Sequence, residues 1–241
     1  MKKLALIIIL ISIILPTNTV RAQSNGGAAA AVVGGLVAIG AGIAAVKQME
    51  EQAELVATEW ILTNHDDFKS FSLKTMDFNG KKLKDMSSTS VITYKLQEFT
   101  PADDIDFNGK KRILFGFTSP GWVSQYGINF DKVKWFLIDE SEWMNMMVAY
   151  VKVSSNEKNE STLKETLIAG KIVNKGVRLN RKMEIPFYKL EGDMYLVSDY
   201  SEEMKLIYNE RSLGIFLKET KDLVQIGRGN LINIHDYFFD K

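Results

Sequence analysis

Residues 26–46 read Gly-Gly-Ala-Ala-Ala-Ala-Val-Val-Gly-Gly-Leu-Val-Ala-Ile-Gly-Ala-Gly-Ile-Ala-Ala-Val, and this stretch decides how the chain is organised. It contains neither a charged nor a polar side chain. At a rise of about 1.5 Å per residue, some twenty helical residues reach about 30 Å, the thickness of the hydrocarbon core of a bilayer. The stretch is therefore long enough to span a membrane as a helix.

Small residues recur at every fourth position of this stretch, at Gly26, Ala30, Gly34, Ala38 and Gly42. Fourth residues line up on one side of a helix, and small side chains allow a second helix to approach closely. Over this segment alone the chain resembles the glycine-zipper helices of bacterial membrane and pore-forming proteins. The resemblance implies association with a membrane or with other copies of the chain. A flexible Gly/Ala linker and a helix buried in the protein's own core are the alternatives.

After Lys47 the pattern becomes amphipathic. Apolar residues follow alternating steps of three and four, at Val46, Met49, Ala53, Val56 and Trp60, while four glutamates lie off this seam. We predict one continuous helix over residues 28–63, which ends near Asn64. Its second half forms either a short coiled coil or a face that packs on the following domain.

The first 22 residues have the pattern of a secretory signal peptide. Lys2 and Lys3 precede an uncharged apolar run over residues 4–15, and a short polar segment ends at Ala22. This order is typical of a signal that is cleaved after Ala22, so the mature chain begins at Gln23. An uncleaved anchor is the alternative, and either version exports the remainder to the periplasm or cell envelope, in association with a membrane.

Composition excludes several classes of protein. The absence of cysteine rules out disulfides, thiolate metal sites and a cysteine that carries a lipid anchor. Removal of the signal leaves 27 basic and 30 acidic residues, a charge of about −3. This balance gives no overall attraction to nucleic acid, and we expect no nucleic-acid partner.

The remainder of the chain is predicted to be rich in β-strands. Strand-like runs cover residues 91–99, 113–117, 133–138, 146–153, 177–179, 185–190, 194–197, 205–208, 213–217 and 223–226. A polar stretch at 154–160 is a linker or a long hairpin loop, followed by a helix over 161–169 with Ser161 as its cap, and a terminal helix starts near Asn230. The predicted fold class is α+β, with a signal peptide at 1–22, the zipper and amphipathic helix at 23–65, and a β-rich domain at 66–241. A sub-boundary is expected near 154–161.

A six-residue segment occurs twice, as Asp-Phe-Asn-Gly-Lys-Lys at residues 77–82 and 106–111. Asn-Gly supplies the two positive φ angles of a type I′ turn, so each copy predicts a hairpin. The second copy extends back to Asp104 and has the oxygen spacing that opens a calcium loop, but Phe115 stands where such a loop needs its closing acid. We therefore favour the hairpin turn over a calcium site.

The sequence carries no recognised catalytic or cofactor signature. It lacks the Gly-x-Ser-x-Gly elbow and the glycine-rich phosphate and dinucleotide loops. A histidine-based zinc site would need both histidines, His65 and His235. Asp139, Glu140 and Glu142 flank two tryptophans, and carboxylate pairs alone can hydrolyse glycosides. We assign no catalytic residue, no cofactor and no metal, and interpret these acids as solvated turn residues.

Two groups of residues are candidates for ligand binding. Trp122 follows a Pro-Gly turn and is the aromatic ring expected to be most exposed, in a region whose other rings are interpreted as core. Five cations fall within a dozen residues without an acid, at Lys171, Lys175, Arg178, Arg181 and Lys182. Such a cluster suits an anionic lipid or polysaccharide, although a solvated outer strand face also explains it.

These observations predict a non-enzymatic component of a bacterial cell envelope. The zipper helix provides anchorage or self-association, and the β-rich domain binds a partner, either an envelope protein or a polysaccharide. The alternatives are an extracytoplasmic hydrolase that uses carboxylates and a pore-forming or toxin-like protein that inserts the zipper helix into a target membrane.

Overall fold

The computed structural model describes residues 43–78, 89–102, 104–124, 127–191 and 195–239. Within these ranges the chain has a mixed α+β fold of four α-helices, three antiparallel sheets and one short two-stranded ribbon. The predicted α+β class is confirmed. The signal segment and residues 26–42 of the apolar stretch lie outside the described residues.

Helix α1 (Ile43–Asn64) ends where the sequence predicted. Its buried residues follow four-residue steps, at Met49, Ala53, Ala57 and Ile61. The predicted seam is therefore wrong in part, because Val46, Val56 and Trp60 lie at the edges of the contact. The partner of this face is a sheet of the same chain, as α1 contacts the first strand and shares a core with the next two. Of the two predicted alternatives for the second half of this helix, the structure therefore shows packing on the following domain.

The first sheet consists of β1 (Phe71–Asp77), β2 (Ser90–Glu98), β3 (Lys111–Thr118) and β6 (Val133–Asp139). The strands pair in the order β1-β2-β3-β6, all antiparallel. Between β3 and β6 lie the ribbon of β4 (Val123–Ser124) and β5 (Gly127–Ile128) and a short 3-10 helix at Phe130–Lys132. The strands predicted over 91–99, 113–117 and 133–138 are confirmed.

Both faces of this sheet are buried, which makes it the central wall of the molecule. On β3, Leu114 points into the core beneath α1, whereas Ile113, Phe115 and Phe117 point into the core on the opposite side. Alternate residues of a strand face opposite sides of the sheet, so two cores share one wall. We call them the α1-side core and the α4-side core, the second after the terminal helix.

The strand predicted over residues 146–153 is wrong, because these residues belong to helix α2 (Glu140–Ser154). Asp139 caps this helix, since its carboxylate accepts a hydrogen bond from the backbone N–H of Glu142 at 2.9 Å. The helix is buried on most sides, with seven apolar residues of the segment 143–151 in the core. Beyond its first turn, its exposed and half-buried positions form only a narrow stripe, at Asn145, Ala149, Lys152 and Val153, so the helical period is weak within residues 146–153.

The polar stretch at 154–160 connects α2 to helix α3 (Glu160–Ala169). The cap of α3 is Asn159 rather than Ser161, because the Asn159 side chain accepts from the backbone N–H groups of Ser161 and Thr162. Residues of α2 and α3 enter the same α4-side core.

The C-terminal part contains two further antiparallel sheets and one helix. The second sheet has β10 (Leu196–Asp199), β11 (Met204–Tyr208), β12 (Ser212–Leu217) and β13 (Leu223–Gly227), paired in chain order. The third has β7 (Lys171–Val173), β8 (Gly176–Leu179) and β9 (Lys182–Pro186), and α4 (Arg228–Phe239) completes the fold. The strand predicted over 185–190 is displaced toward the N-terminus, since β9 begins at Lys182, after the turn at residues 180–181, and ends at Pro186.

The second copy of the repeated segment lies in the connection between the antiparallel strands β2 and β3, as a hairpin requires. The predicted type I′ turn is wrong, because neither Asn108 nor Gly109 has a positive φ. Gly109 is instead needed for a close approach, since a Cβ there would lie 2.5 Å from the carbonyl oxygen of Glu98. Most of the first copy falls outside the described residues.

Candidate functional site

The five cations singled out in the sequence all lie on the third sheet and its turns, and all five are exposed. One side of this sheet is buried in the α4-side core through Ile172, Val177 and Ile185. Side chains alternate along each strand, so the polar residues between these positions face outward. The fold therefore collects the basic segment on one small surface, which we call the basic sheet (residues 171–186).

Strand pairing fixes the spacing of the cations on the basic sheet. Lys171 lies opposite Arg178 on the neighbouring strand, and Lys182 lies opposite Leu179. Asn180 and Arg181 form the two-residue turn between β8 and β9, with φ angles of 47° and 74°. Two positive φ angles in succession are the mark of a type I′ turn, which matches the twist of the flanking strands. Arg181 is consequently held at the tip of a tight hairpin.

The electrostatic balance of the basic sheet is strongly positive. Residues 171–186 contain five cations and one carboxylate, a net charge of +4. The carboxylate belongs to Glu184, which pairs with Lys182 at 3.3 Å. Neither Arg178 nor Arg181 forms an ion pair with a described residue. Two guanidinium groups are thus free to meet an anion from solution.

A sixth cation lies close to the basic sheet but is buried. Arg228, the first residue of α4, is only 7% exposed. Its Nη2 donates to the Tyr150 hydroxyl at 3.0 Å and to the Asn209 carbonyl at 3.4 Å, and its Nη1 donates to the Asn174 carbonyl. The Nε atom has no hydrogen-bond partner among the described residues. Sequence reasoning missed this residue, because its partners stand 19 to 78 positions away along the chain.

The prediction that Trp122 is exposed is wrong. The ring is fully buried in the α1-side core, where it packs edge to face against Phe78 at a centroid distance of 6.2 Å. The chain reverses here, with the backbone N–H of Asn129 donating to the Trp122 carbonyl at 2.6 Å, so the Pro-Gly turn folds the ring inward. A buried ring cannot serve as a surface platform for sugar or peptide.

The acids near the tryptophans do not form one cluster. Asp139 caps α2, and hydrogen bonds from the Glu142 backbone and the Ser141 hydroxyl lower the pKa of its carboxyl. Glu142 lines a different cleft of about 320 Å³ together with Glu203 and several phenylalanines. Burial and the charges of Asp139 and Glu203 raise the pKa of Glu142. Glu142, Glu202 and Glu203 are the carboxylates that line this cleft.

The two histidines have different surroundings. His65 packs against the rings of Trp60 and Phe68 at the end of α1. His235 is buried, accepts a hydrogen bond at Nδ1 from the Trp143 indole at 3.3 Å and donates from Nε2 to the Leu167 carbonyl at 2.8 Å. An indole N–H can only donate, so the His235 ring is neutral with its proton on Nε2. Burial lowers its pKa accordingly.

Two findings concern metal and membrane. Among the described residues, no three or more histidine, aspartate or glutamate side chains converge as a metal site would require. Within the same part of the chain, none of the helices combines the length and the hydropathy needed to cross a bilayer. The zipper positions Gly26, Ala30, Gly34, Ala38 and Gly42 lie outside the described residues.

Comparison with known proteins gives no relative for this chain. No family model, no curated protein and no solved structure matches it. The features of the described residues that bear on function are chiefly the basic sheet and Arg228.

Proposed function

We propose that this chain is a non-enzymatic, exported component of a bacterial cell envelope that binds an anionic partner through its basic sheet. The signal segment supports export, and the line of small residues at 26–42 supports anchorage or self-association. The β-rich domain then presents the basic sheet outside the membrane.

The observation that carries the proposal is the density of exposed charge on one small surface. A net charge of +4 lies on three short strands, while the mature chain as a whole is slightly acidic. A local patch of one sign attracts a partner of the opposite sign even when the net charge of the protein does not. Single exposed ion pairs contribute little, about 0 to 1 kcal/mol, so binding must combine several contacts with a polyanion.

An anionic polysaccharide fits this surface better than a lipid bilayer. The apolar stretch leads into α1, which packs on one face of the first sheet, whereas the basic sheet belongs to the core on the opposite face. The central wall thus separates the helix that leaves the membrane from the basic sheet. A soluble polymer can reach the basic sheet on that far side, and a bilayer at the start of α1 cannot do so as readily.

The test uses the full chain from Gln23 with dextran sulfate as the polyanion and unmodified dextran as the uncharged control. We expect binding to dextran sulfate alone, with an affinity that falls steeply as salt screens the exposed charges. The double variant Arg178→Ala/Arg181→Ala should lose at least about tenfold in affinity, equivalent to about 1.4 kcal/mol.

The matched control is Lys69→Ala/Lys74→Ala, which removes two exposed cations near and on β1. It should bind dextran sulfate within about twofold of the parent, because neither lysine belongs to the basic sheet. Equal losses in both double variants would show a nonspecific charge effect and refute the proposal. Stronger binding to phosphatidylglycerol vesicles than to dextran sulfate would assign the surface to lipid instead.

A further inference from the structure

Arg228 is a buried charge whose hydrogen bonds leave it without a counterion. The acceptors around its guanidinium are a hydroxyl and two backbone carbonyls, all of them neutral, and it forms no ion pair with any described residue. Removal of a cation from water is costly unless an anion or several hydrogen bonds compensate for the lost hydration. The bound oxygens supply part of this compensation, but the Nε–H remains without a partner.

The guanidinium borders a cleft of about 490 Å³ between the third sheet and the turn that follows β11. Three cations line this cleft, Arg228, Lys175 and Lys189, against one carboxylate, that of Glu210. Glu210 is itself engaged, since its Oε1 accepts from the backbone N–H of Leu190 at 2.6 Å. The cleft therefore carries a net charge of about +2.

The remaining wall of the cleft is apolar. Phe187 lies beneath the Arg228 guanidinium at 5.2 Å from ring centroid to Cζ, and Pro186 and Met183 continue the same wall. Small-molecule sites are typically concave, about 300–1,000 Å³ in volume, and mostly apolar with a few placed polar groups. The volume, the placed charge and the apolar wall all agree with this description.

We infer that this cleft binds a small organic anion. Its phosphate or carboxylate group faces Arg228 with Lys175 and Lys189 at the rim, and its ring or short apolar chain rests on Phe187. The ammonium groups of Lys175 and Lys189 supply the direct contacts to its oxygens, and the Arg228 guanidinium, whose two terminal nitrogens already bind protein oxygens, adds positive charge at the wall. The inference goes beyond the proposed function, since the basic sheet offers exposed charge to a polymer and this cleft combines charge with an apolar wall for a small molecule. Lys175 belongs to both surfaces and is left unchanged in both tests.

The experiment measures binding of phenyl phosphate to the full chain from Gln23 by calorimetry. Benzyl alcohol carries the ring without the charge, and inorganic phosphate carries the charge without the ring. We expect a Kd of about 1 mM or tighter for phenyl phosphate, weaker binding of inorganic phosphate and no binding of benzyl alcohol. A dodecyl phosphate that binds more tightly than phenyl phosphate would identify a lipid-like anion as the occupant.

Two variants connect the binding to the cleft. Lys189 is exposed, so Lys189→Glu should fold normally and weaken phenyl phosphate binding at least about tenfold. Arg228→Lys keeps the charge but loses the hydrogen bonds to Tyr150, Asn174 and Asn209 that hold the cation at the wall, and should weaken it to a similar degree. Circular dichroism and the melting temperature verify that each variant is folded. If Arg228→Lys does not fold, Lys189→Glu alone tests whether the anion binds in this cleft.

The inference is overturned if the parent does not bind phenyl phosphate, or if folded Lys189→Glu binds it as well as the parent does. Its failure is distinguishable from that of the proposed function. Arg178→Ala/Arg181→Ala should retain phenyl phosphate binding, and Arg228→Lys, which leaves the net charge unchanged, should retain dextran sulfate binding.

Discussion

The two cores on either side of the first sheet differ in how they treat polar atoms. In the α1-side core, the hydroxyl of Tyr94 and the indole N–H of Trp122 are buried without a partner among the described residues. On the α4 side, Tyr150 and His235 are hydrogen-bonded, and Arg228 binds three oxygens while its Nε–H has no partner in the same part of the chain. Buried polar groups cost free energy when unpartnered, so the packing of the two rings has to offset that cost on the α1 side. The buried polar side chains on the α4 side instead link helices, sheets and turns.

This contrast suggests a division of roles, with anchorage on the α1 side and recognition on the α4 side. The largest effect should come from the apolar stretch that leads into α1. Gly34→Leu/Gly42→Leu places bulky side chains in the line of small residues and should abolish the oligomer or membrane association, as seen by crosslinking in membranes.

The same double variant should leave the melting temperature of the domain unchanged. An unchanged crosslinked ladder would contradict the zipper. A destabilisation of the whole fold by about 1–3 kcal/mol would instead show that the stretch is buried in the protein's own core.

A second prediction tests the packing of α1 on the first sheet. Ala53 is fully buried, so Ala53→Leu overpacks the contact and should destabilise the protein by about 1–3 kcal/mol in urea unfolding. The control Gln48→Leu makes a similar insertion at an exposed position of the same helix and should change stability by about 0.5 kcal/mol or less. Equal effects would mean that the buried face is misassigned.

A third prediction compares one buried tyrosine hydroxyl from each core. Tyr150→Phe removes a hydroxyl that accepts from Arg228 and should destabilise the protein by about 1.5–3 kcal/mol, the usual range for a hydrogen bond to a charged group. Tyr94→Phe removes a hydroxyl without a partner and should be neutral or stabilising by about 1 kcal/mol. Both free energies of unfolding are measured in the same urea series. A larger loss of stability in Tyr94→Phe than in Tyr150→Phe would contradict the contrast between the cores.

The smallest effect concerns pH and His235. Burial lowers the pKa of this histidine below its ordinary value of 6.5, so the unfolded chain binds the proton more readily than the folded chain. The neutral ring therefore contributes stability above about pH 6.5, and this contribution is lost as the pH falls, by at most about 1.4 kcal/mol per pH unit.

His235→Gln should abolish this loss of stability between about pH 7.5 and about pH 5.5, whereas His65→Gln, which removes the other imidazole, should retain it. Guanidinium unfolding at several pH values provides the measurement. The same slope in the parent and in His235→Gln would assign the dependence to other groups.

The elements that could be predicted from sequence are those with a clear apolar pattern. The end of α1 and strands β2, β11 and β13 show their period directly, because their apolar and polar residues recur on opposite sides. Strands β3 and β12 are buried on both faces and appear instead as short apolar runs. Helix α2 was predicted as a strand, since its polar stripe is narrow and most of the segment 146–153 is apolar. The candidate site was likewise predictable only in part. The five cations of the basic sheet could be found because they are close together in the sequence. Arg228 could not be found, because Tyr150, Asn174 and Asn209 approach it only in the folded chain.

Trp122 shows a limit of another kind. A Pro-Gly turn predicts a reversal of the chain at the surface, but it does not say on which side of the chain the next side chain lies. Here the following ribbon directs the ring inward against Phe78. Local turn chemistry determines the path of the backbone, and long-range packing determines burial.

The most direct test of the division of roles is hydrogen–deuterium exchange of the full chain from Gln23, with dextran sulfate and with unmodified dextran. If recognition belongs to the α4 side, dextran sulfate slows amide exchange within residues 171–186 and leaves Ile43–Asn64 and Phe71–Asp77 unchanged. Slower exchange confined to α1 and the first sheet, with none on the basic sheet, would contradict the account.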